Sequence, residues 1–155
     1  MNLKGITMKN ILIAGGAGLV GTVLTQGLKD KYNVKILDIK KAEGVESHTG
    51  DISNLDSIMP AFKNIDTVVH LAGDRRVHGE WESILDNNII GLYNIYEAAR
   101  LSGVKRVIFA SSQHATGGFY DVEPYSFISK GEFEKLPNDY KPLDETCRIR
   151  PDSFY

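Results

Sequence analysis

Apolar and polar positions along this chain follow two rhythms. Short apolar runs ending in small or polar residues alternate with stretches where apolar residues recur every three or four positions. The run "NILIAGG" at 10–16 ends on glycines, as a buried parallel strand does when it enters a tight turn. Leu19, Val20, Val23, Leu24 and Leu28 then recur at helical spacing and predict a helix over residues 18–30. "NVKILDI" at 33–39 predicts a second strand, and "VESHTGDI" at 45–52 holds a short third. "NLDSIMPAF" at 54–62 suits a short helix capped by Asn54 or Ser53. "DTVVHLAG" at 66–73 is a fourth strand. Trp81, Ile84, Leu85, Ile89, Leu92, Tyr96 and Ala99 fall on one face of a long helix over 80–102, a stripe that reads as core packing. "KRVIFASS" at 105–112 is a fifth strand.

Strands alternating with helices predict an α/β fold, a doubly wound (Rossmann) parallel sheet of about five strands. Right-handed crossovers place helices on both faces. After Ser112 the periodicity stops, and residues 113–155 carry four of the five prolines. That segment reads as irregular, with one short helix expected at 129–136. The expected organisation is an extension at 1–7, a nucleotide-binding domain at 8–120 and an irregular tail at 121–155. Met8 offers a second start for translation.

Composition narrows the class. Of 155 residues, 42% are hydrophobic and 25% charged, as in a soluble globular protein. A net charge of −2 gives no reason to expect a nucleic-acid partner. The single cysteine, Cys147, excludes an internal disulfide. No apolar run reaches the roughly 18 residues needed to span a bilayer, and "MNLKGITMKN" lacks the apolar segment of a signal peptide. A cytoplasmic protein with no membrane partner is expected. His48, His70 and His78 have no mutual ligand spacing, so no metal is expected.

The chemistry begins at "GGAGLVG". Gly15, Gly18 and Gly21 have the spacing G-x-x-G-x-x-G between a predicted strand and a predicted helix. Gly15 would allow the tight turn, Gly18 the approach of a pyrophosphate, and Gly21 close packing of helix on strand. The helix start offers unpaired N–H groups and a partial positive charge to phosphates. Asp38 ends the second strand, 17 positions after Gly21. A carboxylate there can accept both ribose hydroxyls of an adenosine and would repel a 2′-phosphate, which favours NAD over NADP. Lys40 and Lys41 weaken that exclusion.

On these residues the chain resembles the extended short-chain dehydrogenase/reductases, the NAD-dependent epimerase/dehydratase family. "GDI" at 50–52 is similar to that family's adenine-binding element, which implies Asp51 on the adenine amino group and Ile52 against the ring. "HLAG" at 70–73 is similar to its fourth-strand signature, implying that Leu71, Ala72 and Gly73 line the cofactor, as Leu19 and Val20 do at the helix start. "NNIIGLYNIYEAAR" at 87–100 resembles its long helix, with Asn88 at the position of a structural Asn. "FASSQH" at 109–114 resembles the fifth-strand segment that carries a catalytic Ser or Thr, with Ser111 beside the cofactor and Ser112 catalytic. Within the family the likeness is strongest to uronate dehydrogenases, which carry similar helix, "FASS" and "RPD" segments. That likeness implies a sugar or sugar-acid substrate, Gln113 and His114 lining its site, and Tyr155 as catalytic Tyr. Gln113 departs from the usual Asn, Arg75 stands where those enzymes carry a smaller polar residue, and the stretch from 120 to 150 is longer.

The reaction implied is transfer of a hydride from sugar C1 to NAD. A Tyr phenol, with a pKa of about 10, is a poor base at neutral pH. The family tunes it with a Lys four residues on, and a Ser hydroxyl orients the substrate oxygen. Ser112 and Tyr155 are present, but the chain ends at Tyr155. The resemblance therefore implies a truncated chain, on the order of 100 residues short of a complete domain of this type. It also implies a polypeptide inactive alone, associating as a homodimer or with a complementing C-terminal fragment. Two further readings stay open: a nucleotide-sugar 4-epimerase of the same family, and a non-catalytic NAD-binding domain. Ser112 could merely cap a strand end, and His114 could be an ordinary loop histidine. Arg75 and Arg76 could hold a substrate carboxylate or phosphate, or be a solvated pair.

Overall fold

A computed structural model of the chain describes residues 9–76 and 78–152. The apolar run after Lys9 forms β1 (Asn10–Ala14). The first helical pattern forms α1 (Leu19–Leu28), followed by β2 (Asn33–Asp38) and β3 (Glu46–Thr49). Next come α2 (Leu55–Ile58), one 3-10 turn at Met59–Phe62, and β4 (Thr67–His70). Asn54 caps α2 as expected, its Oδ1 accepting from Ser57 N at 3.2 Å. The long helix begins as α3 (Trp81–Ile84), passes through a π-helical stretch at Leu85–Ile90, and continues as α4 (Gly91–Leu101). β5 (Arg106–Phe109) follows.

All strand pairs are parallel, in the order β3-β2-β1-β4-β5. Because β2 and β4 lie on either side of β1, the chain reverses direction across the sheet there. In open α/β sheets ligands bind outside the carboxyl ends of the strands at such a point. One apolar cluster joins Leu12, Leu37, Ile52, Ile58, Phe62, Val68 and Ile95. A smaller one joins Ile11, Ile13 and Val69, with Leu24 and Leu28 packed against it.

The helix faces differ from those expected. In α1 the buried residues are Gly21 and Thr25, while Leu19 is 78% and Val23 69% exposed. In the long helix Ile84, Gly91, Asn94, Ile95, Ala98 and Ala99 are buried, and Trp81, Ile89 and Tyr96 are exposed. Ile84 and Ala99 of the expected stripe are buried, but from Gly91 on most of the buried face falls one residue earlier, on Gly91, Ile95 and Ala98. Close approach accounts for the glycine on that face: a Cβ at Gly91 would lie 2.6 Å from Ile52 Cδ1, in the turn after β3.

The chain divides into two compact units, one within residues 1–110 and one within 111–155. The second holds 3-10 turns at Gln113–Ala115 and Gly117–Asp121, then α5 (Tyr125–Ser129) and another 3-10 turn at Phe133–Lys135. The helix expected at 129–136 is thus displaced toward the N-terminus. Gly131, at φ +74°, ends it. Among the described residues no helix is long and apolar enough to cross a membrane.

Candidate functional site

The turn after β1 is shaped by side chains that are missing. Gly15 sits at φ +84°, and a Cβ on it would lie 2.6 Å from Ala72 N. Gly15 therefore brings the ends of β1 and β4 together where the sheet order switches. Gly21 does the same for the helix, since its Cβ would stand 2.4 Å from Gly15 O. Gly16, given no role above, leaves space for Ile36, whose side chain a Cβ would meet at 2.7 Å. Gly18 is different. A Cβ there would meet only Gly15 O, at 3.2 Å, and Gly18 is exposed. It caps α1 with no side chain bonded to the first turn and no acidic residue there. The start of α1 thus presents N–H groups on an open side, as a phosphate requires.

Asp38 closes onto this turn. Its Oδ2 accepts from Ala17 N at 3.0 Å and its Oδ1 from Lys40 N at 3.1 Å. A carboxylate has about four lone-pair sites, so capacity for further donors remains. Asp51 is exposed and turns its Oδ1 back to Ser53 N at 2.9 Å. Ile52 is only 6% exposed and belongs to the core cluster. Its backbone is tied down from below: the buried Asn94 donates from Nδ2 to Ile52 O at 2.8 Å. Asn94 was not among the expected residues. Its signal was a polar residue at a buried helical position.

Leu71 and Ala72 follow β4 half-buried, with Leu71 N donating to Ala14 O at 2.8 Å, and Gly73 is exposed. Asn88 holds the next peptide from both sides, accepting from Asp74 N at 2.6 Å and donating to Asp74 O at 2.9 Å. A Cβ at Gly73 would press to 3.0 Å from Asn88 Oδ1. Asn88 lies in the π-helical stretch, a distortion that frequently accompanies functional sites. The Asp74 carboxylate is bound by the Arg76 guanidinium and by the Ser83 hydroxyl, and these hold it well below the usual carboxylate range. Both arginines are exposed, but Arg76 is committed to Asp74. At the end of β4, His70 is buried against Phe109, ring centroids 5.5 Å apart, and burial pushes its pKa down to about 4. A separate pocket of about 310 Å³ is lined by the N-terminal ends of β1, β2 and β3, away from the glycine turn.

Ser111, Ser112, Gln113 and His114 belong to the second unit. Ser112 caps the first 3-10 turn, its Oγ accepting from His114 N at 3.1 Å. His114 Nδ1 lies 2.8 Å from Asp152 Oδ1. The segment 150–152 bonds to 114–118 through Arg150 N to Ala115 O and Gly118 N to Arg150 O, both 2.8 Å. Asp152 was not among the expected residues, and 38 positions separate it from His114. Tyr155 lies outside the described residues.

These arrangements match a sequence profile over residues 11–142, that of the NAD dependent epimerase/dehydratase family. The chain belongs to this family. Among its relatives, an L-arabinose 1-dehydrogenase (NAD(P)(+)) of Haloferax volcanii is 32% identical over 96% of the chain and 56% of that enzyme. A uronate dehydrogenase of Pseudomonas syringae pv. tomato is 34% identical over 94% of the chain and 53% of its own length. The crystal structure of an Agrobacterium tumefaciens uronate dehydrogenase variant complexed with NAD superposes with a TM-score of 0.65 at 35% identity, covering 71% of this chain and 43% of that one. This family member spans about half the length of the curated relatives it matches.

Proposed function

We propose that this chain carries the NAD-binding part of a sugar oxidoreductase similar to the uronate dehydrogenases. The observation that carries the reading is the glycine turn at the switch point. Gly15 can approach Ala72 only without a Cβ, and the turn is bonded to the acidic residue that would receive the adenosine ribose. In this reading Leu19, Val20 and Gly21 bind the pyrophosphate through backbone N–H groups, while Gly18, whose own N–H is bonded to Gly15 O at 3.1 Å, leaves room for its approach. Asp38 accepts the ribose hydroxyls, and Asp51 with Ile52 borders the adenine. Leu71, Ala72 and Gly73 line the nicotinamide side, while Asn88 holds the loop after β4 in shape. Bound NAD would supply the hydride acceptor.

For the complete enzyme, the substrate is a uronic acid or an aldose oxidised at C1 to a lactone. Ser112 orients the reacting oxygen, Gln113 and His114 hold neighbouring hydroxyls, and Tyr155 takes the proton. Arg75 suits the substrate carboxylate better than Arg76, because Arg76 is already paired with Asp74.

Calorimetric titration of the 155-residue chain tests the cofactor reading. NAD should bind at least tenfold more tightly than NADP. Asp38→Asn should weaken NAD about tenfold and narrow the gap, as expected for losing hydrogen bonds to a charged group. Absence of NAD binding at millimolar concentration would refute it. NADH formation with glucuronate, galacturonate or arabinose would support the oxidoreductase reading. Binding without turnover on any of these would favour a non-catalytic domain for this polypeptide.

A further inference from the structure

We infer that Asp152 is a positioning residue for His114, and that Gly117 exists to admit it. The inference rests on the reading that His114 faces the sugar. An ionised carboxylate only accepts hydrogen bonds. With Asp152 Oδ1 at 2.8 Å, the proton of the neutral imidazole therefore sits on Nδ1. Nε2 is then the acceptor, which is what a sugar hydroxyl donor needs.

The pair is built in rather than incidental. Asp152 N donates to His114 O at 3.3 Å, so backbone and side chain of the same two residues are joined. Ser112 Oγ holds His114 N at 3.1 Å from the other side. The glycines of "GGFY" make room for the segment 150–152. A Cβ at Gly117 would lie 1.9 Å from Asp152 Oδ2, and one at Gly118 would lie 2.7 Å from Arg150 Cγ. Arg150 also lies over the Phe119 ring, 5.9 Å from its centroid. The "GGFY" and "RPD" segments thus form one interlocked piece, and Asp152 at the end of "RPD" meets the imidazole. Both groups are mostly covered, with side chains 18% and 28% exposed, which strengthens the bond over a fully solvated one.

The test is long-range 15N–1H spectroscopy of the imidazoles in the whole 155-residue chain, with His114 assigned by the signal lost in His114→Gln. Wild type should show His114 as the Nδ1–H tautomer. Asp152→Ala should shift it predominantly to Nε2–H. Gly117→Ala should do the same while keeping both side chains. It therefore serves if Asp152→Ala does not fold. An Nε2–H tautomer in wild type, or an unchanged tautomer in either folded variant, would overturn the inference. Glucuronate titration separates this inference from the reading beneath it. His114 signals should move on addition of glucuronate, and Asp152→Ala should weaken that binding about tenfold. A wild-type His114 that is Nδ1-protonated yet indifferent to glucuronate would refute the sugar-site reading and leave the positioning role intact.

Discussion

The two units of this chain use glycine for opposite ends. In the first, Gly15, Gly21 and Gly91 bring backbone and apolar side chains into close contact, around two apolar clusters that lie wholly within residues 1–110. In the second, Gly117 and Gly118 make room for an aspartate and an arginine from a segment more than 30 residues away. Among its described residues only Gly117 and Ser126 are buried. The first unit is therefore held by apolar packing and the second by backbone pairing and polar contacts. Cooperative stability should concentrate in the first, because burial of apolar area supplies most of the folding free energy.

The largest effect expected follows from breaking the first kind of glycine. Gly15→Ala forces a Cβ to within 2.6 Å of a backbone nitrogen, at φ +84°. Neither neighbour is a flexible side chain that could move aside. The substitution should cost about 3 kcal/mol or more and lower the melting temperature by roughly 10 °C, read by thermal unfolding. A loss below about 1 kcal/mol would show that the turn is looser than its geometry.

A middle-sized effect comes from a titratable group that the first unit buries. His70 is 1% exposed, and its Nδ1 has no hydrogen-bond partner among the described residues. Burial lowers its folded-state pKa from 6.5 to about 4. The folded protein thus binds fewer protons than the unfolded chain between these values. The stabilisation from a neutral His70 is complete above pH 6.5 and is lost as pH falls toward 4. Between about pH 7 and pH 5 the loss should be about 2 kcal/mol, measured by urea unfolding. His70→Leu should flatten that slope. A slope unchanged in the variant would place the pH dependence elsewhere.

The same contrast explains what could be read from the amino acids alone. The five strands followed from apolar runs between turn residues, because apolar burial leaves a trace along the chain. The turn after β1 was legible because glycines between an apolar run and a helical pattern mark it locally. The helix faces were misjudged. Hydropathy selects large side chains such as Trp81, Ile89 and Tyr96, which are exposed, and passes over small ones such as Gly91 and Ala98, which are buried. Asn94 was missed because its bond to Ile52 O spans 42 positions. Asp152 escaped for the same reason. Nothing local distinguishes a carboxylate that binds an imidazole 38 residues earlier from one that faces solvent.

The smallest prediction has the opposite sign and isolates the cause. Gly27 lies in α1, six residues after Gly21, on the exposed side of the helix. A Cβ added there would meet nothing within 4 Å, against 2.4 Å for one added at Gly21. Its glycine therefore contributes only extra freedom to the unfolded chain. Gly27→Ala should stabilise the protein by about 0.5 kcal/mol, somewhat less than a mid-helix value because the position is close to the C-terminal end of α1. The melting temperature should rise by about 1–2 °C. Gly21→Ala, in the same helix and with the same change in propensity, should instead destabilise strongly. If the two variants moved in the same direction, helix propensity rather than close approach would govern α1. The steric account of Gly15, Gly21 and Gly91 would then fail together.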